Sequence, residues 1–168
     1  ETLPHMFCHC RLHSAAIQWR HDSILLRLSR ACRLPGHVTV NQRVEGLYGE
    51  LGELRPDLVI KHEPSKSVAT CDLMVPFENR PIAFEEARER KFAKYAPLAE
   101  AFSRLGYRVI VTAFVVGALD SWDPCNEPVL GLLRIGSTYA SMMRRLIVSD
   151  TIRWFRDIYV EHISGACQ

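Results

Sequence analysis

The sequence predicts a single α/β domain, built as a mixed β-sheet with helices on both faces. The chain has 168 residues, of which 48% are hydrophobic and 24% charged, and this is typical of one globular domain with its own core. Two β-like runs lie on either side of a short polar turn within 54–76, and a third lies at 107–116. Between the second and third runs, residues 82–105 have the apolar spacing of an amphipathic helix.

Charge and cysteine usage exclude few classes of protein. A net charge of +2 and a pI near 8.3 permit contact with nucleic acid but do not argue for it. The six cysteines are too sparse and irregular for a disulfide scaffold, so a reducing compartment is favoured. No apolar run reaches the roughly 18 residues that a membrane span needs, and no signal peptide is visible. Because the chain begins with Glu1 rather than Met, we expect a piece of a longer polypeptide.

The first helix and the first strand are predicted from periodicity and a stop. Apolar residues recur near helical spacing over 14–33, and Pro35 with Gly36 ends that helix. His37–Val40 alternates weakly, as a strand does. A glycine-rich stretch at 46–52 then turns the chain.

A β-hairpin follows the turn. Residues 54–61 form an apolar strand, 63–67 a polar turn, and 68–76 the second arm, with β-branched residues along it. The loop after this arm contains Glu78.

The strongest helix prediction covers 82–105, where Gly106 stands in the position at which helices commonly end. Residues 107–116 are rich in β-branched and aromatic residues and predict a central strand. The segment 120–128 is predicted to be a loop that holds Trp122.

Two further helices are predicted at about 128–148 and 150–163, with Ser149-Asp150 as the N-cap between them. The sequence contains no internal repeat and no obvious linker. We therefore divide the chain into an N-terminal segment rich in His and Cys, a core and a helical extension: 1–13, 14–125 and 126–168.

Two aspartates and a lysine carry the candidate chemistry. Asp57 stands at the start of one apolar run and Asp72 lies inside the next, and acids on adjacent strands can hold a divalent metal that helps to cut phosphodiesters. Lys91 falls in the middle of the apolar stripe of the 82–105 helix, with Lys94 on its edge. A lysine there is unfavourable unless an anion neutralises its charge. The two aspartates can supply that negative charge if this helix packs on their sheet. The alternative is a pair of solvated strand-end aspartates and a lysine that reaches out to solvent.

Three segments resemble the restriction-like endonuclease domain of site-specific non-LTR retrotransposons, which lies after the reverse transcriptase in the polyprotein. They are Arg55-Pro56-Asp57-Leu58-Val59, Asp72-Leu73-Met74-Val75-Pro76-Phe77-Glu78 and Lys91-Phe92-Ala93-Lys94-Tyr95. The resemblance extends to Arg20-His21-Asp22, Phe114-Val115-Val116-Gly117-Ala118-Leu119 and Ser121-Trp122-Asp123. It covers nearly the whole chain and implies a restriction-endonuclease-like mixed sheet, flanked by helices, with extra C-terminal helices.

The resemblance implies that Asp57 and Asp72 bind Mg²⁺ or Mn²⁺ and that Lys91 and Lys94 are the basic catalytic residues. The wider signature of this nuclease fold is Pro-Asp, followed later by Asp or Glu, any residue, and Lys. This chain departs from that signature, because Met74 stands two residues after Asp72. The lysine must then come from the following helix, and the division of roles between Lys91 and Lys94 stays open.

Further residues are assigned by the same resemblance. It places Tyr95 beside the catalytic lysines and gives Arg20 and His21 a role near DNA or the active site. The alternative for Arg20 and His21 is an ordinary polar helix face with a local ion pair to Asp22. Glu78 is either a third acid of the site or a solvated loop residue.

The N-terminal segment contains half of a zinc motif. In the retrotransposon family a Cys-Cys-His-Cys zinc knuckle precedes the nuclease, and His5 and Cys10 match its last two ligands. A tetrahedral Zn²⁺ site needs four ligands, and Cys8, His9 and His13 are the local substitutes. The alternative is a terminus without metal.

The function implied by the resemblance is metal-dependent nicking of double-stranded target DNA. The freed 3′-hydroxyl would prime reverse transcription of the element's RNA in the nucleus, with the reverse transcriptase domain of the same polyprotein as partner and no membrane involved. One alternative is a catalytically inactive module of the same fold that binds DNA or protein. Another is a junction resolvase of the same fold.

Overall fold

A computed structural model of the chain describes residues 2–78, 80 and 82–165. Residue 1, in the predicted first segment, and residues 166–168, in the predicted last segment, lie outside these ranges. The described residues form four strands: β1 (His37–Val40), β2 (Leu58–His62), β3 (Ser67–Met74) and β4 (Arg108–Val115). They also form five α-helices: α1 (Leu3–Cys8), α2 (Ser14–Ala31), α3 (Ala83–Arg104), α4 (Asn126–Leu132) and α5 (Ser137–Ser164). A 3₁₀ helix covers Gly49–Glu53.

The strands form one mixed sheet in the order β1-β2-β3-β4. β1 pairs with β2 and β2 with β3 in antiparallel fashion, whereas β3 and β4 are parallel. A parallel pair needs a long connection, and α3 provides it. The predicted α/β class, a mixed sheet flanked by helices, is therefore confirmed.

Alternation along β2 and β3 decides which side chains face which helices. Leu58 and Leu73 belong to the core shared with α2 and α5, whereas Val59 and Val68 belong to the core shared with α3. Because the side-chain period of a strand is two, Asp72 shares the α3 face with Val68, and Asp57, just before β2, is aligned with Val59. The alternation thus directs both acids toward the same helix.

The strand β2 begins at Leu58, later than the predicted start at 54. Two local causes explain the difference. Pro56 has no backbone N–H to give to a ladder. The N–H of Asp57 donates to Oδ1 of Asp72 instead of a strand carbonyl, at 3.0 Å. The prediction of an extended strand over 54–57 was wrong for a reason that belongs to the site itself.

The predicted break at Ser149-Asp150 was also wrong, because α5 runs without interruption from Ser137 to Ser164. The break lies earlier, where Arg134 has a φ of 54° and Gly136 is the N-cap of α5. The side chain of Asp150 is not a cap, since it accepts hydrogen bonds from Arg27 of α2.

The C-terminal helices share a core with the sheet. Val129 and Leu130 of α4, and Met143 and Ile147 of α5, belong to the same buried cluster as Leu58 of β2. The segment 126–165 therefore completes one face of the sheet. None of the helices in the described ranges combines the length and the hydrophobicity needed to cross a bilayer.

Candidate active site

The two predicted acids lie side by side and hold each other through the backbone. The N–H of Asp57 donates to Oδ1 of Asp72 at 3.0 Å, and the N–H of Leu73 donates to Oδ2 of Asp57 at 2.7 Å. The register explains this reciprocity, because Leu58 pairs with Cys71 and the next opposed pair is Asp57 with Asp72. The carboxylates are thus fixed by main-chain donors on adjacent strands.

Burial makes this acid pair electrostatically demanding. The side chain of Asp72 is 2% exposed, and the Nζ of Lys91 is ion-paired with its Oδ2. That Oδ2 is buried, and the Lys91 ammonium is its ion-pair partner. A buried carboxylate without a countercharge would cost several kcal/mol, on the order of 3–5. The ammonium of Lys91 therefore answers the charge of Asp72, as the apolar stripe predicted.

The helix α3 delivers this lysine from the middle of its buried face. Ala87 and Tyr95 lie one turn before and one turn after Lys91, and both are buried. The Tyr95 hydroxyl donates to the carbonyl of Arg55 at 3.4 Å. Burial, and secondarily the neighbouring Asp72, raises the pKa of Tyr95.

The second predicted lysine is elsewhere. Lys94 is exposed, and its Nζ lies 4.9 Å from the centre of the Tyr95 ring. Only Lys91, of the two, is paired with an acid of the site. In this structure the question of which lysine faces the carboxylates is answered in favour of Lys91.

His21 of α2 joins the acid pair from the other side. Its Nε2 lies 3.2 Å from Oδ2 of Asp57, and its Nδ1 lies 3.1 Å from Oδ1 of Asp22. Burial lowers the pKa of His21, but the hydrogen bonds to the two aspartates outweigh burial and leave that pKa raised. Burial raises the pKa of Asp57, yet the bond from His21 outweighs it and the net pKa is lowered. The pair therefore favours an imidazolium beside a carboxylate.

Two other predicted residues are placed in the interior. Arg20 is 1% exposed and donates to the carbonyl of Phe7 at 2.8 Å, next to Cys8. Tyr95 is also 1% exposed. The prediction that these residues bind nucleic acid requires direct contact with DNA. Side chains buried to this degree cannot make such a contact in this conformation. Both side chains donate hydrogen bonds to backbone carbonyls of the protein itself, those of Phe7 and Arg55.

Glu78 is neither solvated nor placed with the acid pair. Its carboxylate accepts hydrogen bonds from the backbone N–H groups of Leu119 and Ser121, at 2.9 and 3.1 Å. It also fills the space where a side chain at Gly117 would begin, because a Cβ there would lie 2.2 Å from Oε1 of Glu78. Glu78 thus ties the segment after β3 to the turn after β4.

A cleft of about 430 Å³ opens beside the acid pair. His21 and Lys91 line it, together with residues of α1, of the segment after β3 and of the start of α3. Two arginines also line the cleft, Arg80 and Arg90, and no sequence pattern predicted a functional role for them. Arg80 lies in the loop before α3 and Arg90 is one of several charged residues of α3, so only the fold shows that both line the cleft.

The donor set at the acid pair suits Mg²⁺ better than a metal that needs a closed protein cage. Within the described ranges no group of three or more His, Cys, Asp and Glu side chains is arranged to hold a metal ion. Mg²⁺ is commonly bound by one or two carboxylates, with phosphate and water completing the octahedron. The buried Oδ2 of Asp72 faces the Nζ of Lys91, so a metal ion bound at this oxygen would take the place of that ammonium. Two neighbouring carboxylates are oxygen ligands of the class that Mg²⁺ prefers.

The residues of the predicted zinc motif do not converge. His5 is exposed on α1, whereas Cys10 is buried. Two of the possible substitutes already have partners: the Cys8 thiol donates to the Val75 carbonyl, and Nε2 of His13 lies 3.2 Å from Nδ1 of His162. The described part of the chain gives no support to Zn²⁺ at this end.

Comparison with known proteins adds no relative to this geometry. The chain matches no protein-family model, and no curated protein matches it significantly.

Proposed function

We propose that this domain is a divalent-metal-dependent DNA endonuclease with a restriction-endonuclease-like core. One observation carries the proposal: Asp57, just before β2, and Asp72, on the adjacent strand β3, meet on one face of a mixed sheet, and Lys91 from the packed helix faces Asp72. A binding module has no need of this arrangement, because burying Asp72 beside Asp57 costs free energy that grip on DNA does not repay. Phosphodiester hydrolysis does need clustered acids and a cation.

The architecture supports the finer fold assignment. A hairpin, β2–β3, carries both acids, and α3 connects it to the parallel strand β4. The same helix packs on the sheet face that holds the acids and supplies the lysine. This is the placement that the resemblance to the retrotransposon domain requires of a lysine lost from the strand.

The proposed chemistry divides among few side chains. Asp57 and Asp72 would hold Mg²⁺ or Mn²⁺, which supplies positive charge that activates water and stabilises the leaving 3′-oxygen. Lys91 stands within reach of the same carboxylates and would place its ammonium against the phosphate oxygens as negative charge develops there. His21 holds Asp57 through Nε2 and so fixes the direction in which that carboxylate points.

The biological role follows from the resemblance. The nick in double-stranded target DNA would leave a 3′-hydroxyl from which a reverse transcriptase domain of the same polyprotein copies the element's RNA. Such a reaction takes place at chromosomal DNA, so the proposed location is the nucleus.

The direct test is nicking of supercoiled plasmid in Mg²⁺ by the wild type and by the variants Asp57→Asn and Asp72→Asn. We expect each substitution to reduce nicking about 100-fold or more, the scale of one lost electrostatic contact at a reacting group. Glu100→Gln is the matched control, because it removes an exposed carboxylate of α3 that pairs with Arg104.

Equal nicking by all four proteins would overturn the assignment. Calorimetric titration with Mg²⁺ separates the remaining alternative, the inactive binding module. A wild-type protein that binds DNA, fails to bind Mg²⁺ and does not nick would be that module.

A further inference from the structure

We propose that the cleft beside the acid pair binds the sugar-phosphate backbone of the strand being cut, with Arg80 and Arg90 as its phosphate ligands. The proposal rests on the proposed endonuclease function and adds to it a second anion site, distinct from the carboxylates and from Lys91. It names two residues to which the sequence resemblance assigns no role.

Charge is the first argument. The cleft is lined by three permanently positive side chains, Arg80, Arg90 and Lys91, and by two histidines. Among the described residues that line it, the single carboxylate is Glu86, which already accepts a hydrogen bond from Nη2 of Arg80 at 3.1 Å. A wall with this excess of cations attracts a polyanion.

The second argument is that the two arginines are exposed and only weakly paired. Arg90 is exposed and makes no salt bridge within the described residues. Arg80 is 61% exposed in its side chain, and its partner Glu86 is 42% exposed. An ion pair as exposed as this contributes about 0–1 kcal/mol. Arg80 can therefore exchange Glu86 for a phosphate at small cost, and Arg90 has no ion-pair partner to give up in the part of the chain that the structure describes. A guanidinium also matches phosphate oxygens in a two-pronged geometry that an ammonium lacks.

Continuity with the acid pair is the third argument. His21 and Lys91 line the cleft and also contact Asp57 and Asp72. The chain segment that follows Asp72, from Leu73 to Phe77, forms a wall of the same cleft. A strand whose scissile phosphate lies at the acids therefore passes into this cleft with its neighbouring phosphate.

The shape of the cleft agrees with this occupant. Its volume, about 430 Å³, lies within the range of about 300–1,000 Å³ that small-ligand sites occupy. Apolar residues of the wall, among them Leu73, Val75 and Phe77, would face sugar carbons while the arginines face phosphate. One backbone step of a nucleic acid has both characters.

The test measures the binding of a short DNA duplex in the absence of divalent metal. Fluorescence anisotropy gives the association constant K at a series of salt concentrations. We expect the double variant Arg80→Ala/Arg90→Ala to lower the slope of log K against log salt by about 0.9 per phosphate contact removed. Affinity at 0.1 M salt should fall about 10-fold or more, because the contributions of two contacts are lost together. Arg145→Ala removes an exposed arginine of α5 and should change neither quantity.

A second measurement asks whether the contact is local. Duplexes with single ethylated phosphates should bind the wild type poorly when the ethyl group lies within a step or two of the nick. The double variant should be insensitive to the same ethyl groups. Circular dichroism and the thermal midpoint show whether the double variant is folded.

The outcomes separate the two proposals. Unchanged slope, affinity and ethylation pattern in a folded double variant would overturn the phosphate site, even if Asp72→Asn abolishes nicking. A reduced slope with the predicted ethylation pattern supports the site. A reduced slope in a protein that never nicks DNA would support an anion site in this cleft while overturning the endonuclease.

Discussion

Lys91 illustrates how one side chain links the core to the chemistry. Its stem lies in the apolar face of α3, and its ammonium is the countercharge of a carboxylate that is 2% exposed. Without a metal ion, Lys91 neutralises Asp72. If the proposed metal ion bound to the acids, the same ammonium would be free to face the proposed substrate, and the ion and the lysine would compete for one carboxylate.

This competition gives a prediction for Lys91→Met, which keeps the length and apolar character of the stem. We expect nicking to fall about 100-fold or more, since a cation at the reacting phosphate is lost. We expect Mg²⁺ affinity to stay the same or to rise, because the competing charge is gone. Calorimetry and plasmid nicking measure the two effects.

The matched control is Lys94→Met, which removes an exposed ammonium over the Tyr95 ring. Both Mg²⁺ affinity and nicking should change much less there. Weaker Mg²⁺ binding by Lys91→Met, or equal nicking losses at both lysines, would contradict this division of roles.

Among the elements, those with strong local periodicity were predictable. The helix α3, predicted at 82–105 and observed at Ala83–Arg104, has apolar residues at regular spacing and a glycine after its end. The β2–β3 hairpin was read from a polar turn between two apolar runs. In both cases the information lies within a few residues of the chain.

The acid pair and Lys91 could be predicted because period-two and period-3.6 patterns fix their faces. The contact of His21 with Asp57 could not, because it depends on where α2 packs. The continuity of α5 was missed for the same kind of reason: Asp150 looks like a cap, but its partner Arg27 lies on α2. The arginines of the cleft likewise become a group only once α3 is docked.

The continuity of α5 predicts a clear effect of Ser149→Pro. Within a helix, proline removes a backbone hydrogen bond and clashes with the preceding turn, at a cost of about 3 kcal/mol or more. If a new helix began at 150 instead, this substitution would be tolerated. The free energy of unfolding in urea measures the difference, with Ser149→Ala as the control, and a loss below about 1 kcal/mol would speak for the broken helix.

The β2–β3 turn predicts a pH dependence of stability. Glu63 accepts from Lys61, Lys66 and the Tyr107 hydroxyl. The bond from Lys61 is the largest cause of a pKa lowered from 4.5 to about 2. A folded-state pKa below the unfolded one stabilises the protein above the unfolded value, and this contribution is lost as pH falls through the folded value.

We therefore expect the stability difference between wild type and Glu63→Gln to be present above pH 4.5 and to shrink between 4.5 and about 2. Because the carboxylate is fully exposed, screening by added salt should diminish this difference. Urea unfolding of both proteins from pH 6 downward measures it. A difference that does not vary with pH would show that the cluster makes no electrostatic contribution.

For the whole molecule, the decisive feature is that one buried cluster joins α2, the sheet, α4 and α5. Ile147 of α5 and Leu73 of β3 are both almost completely buried in it. A core shared in this way predicts that the C-terminal helices and the β-sheet unfold together.

Ile147→Ala tests this cooperation. Truncation of a fully buried isoleucine costs about 2–5 kcal/mol, and we expect one transition, with far-ultraviolet circular dichroism and tryptophan fluorescence coincident. Leu146→Ala, at an exposed neighbouring position, should cost about 0.5 kcal/mol or less. Two separate transitions would contradict a common core.

The close approach of Glu78 to Gly117 should constrain how these two positions vary in evolution. A β-carbon at position 117 would displace a flexible carboxylate, so the steric conflict by itself is mild, but the amides of Leu119 and Ser121 would lose their acceptor. Whether a substitution is tolerated at position 117 therefore depends on the residue at position 78, and the reverse also holds. In homologous sequences we expect glycine at 117 to persist wherever glutamate stands at 78, and the two to be replaced together.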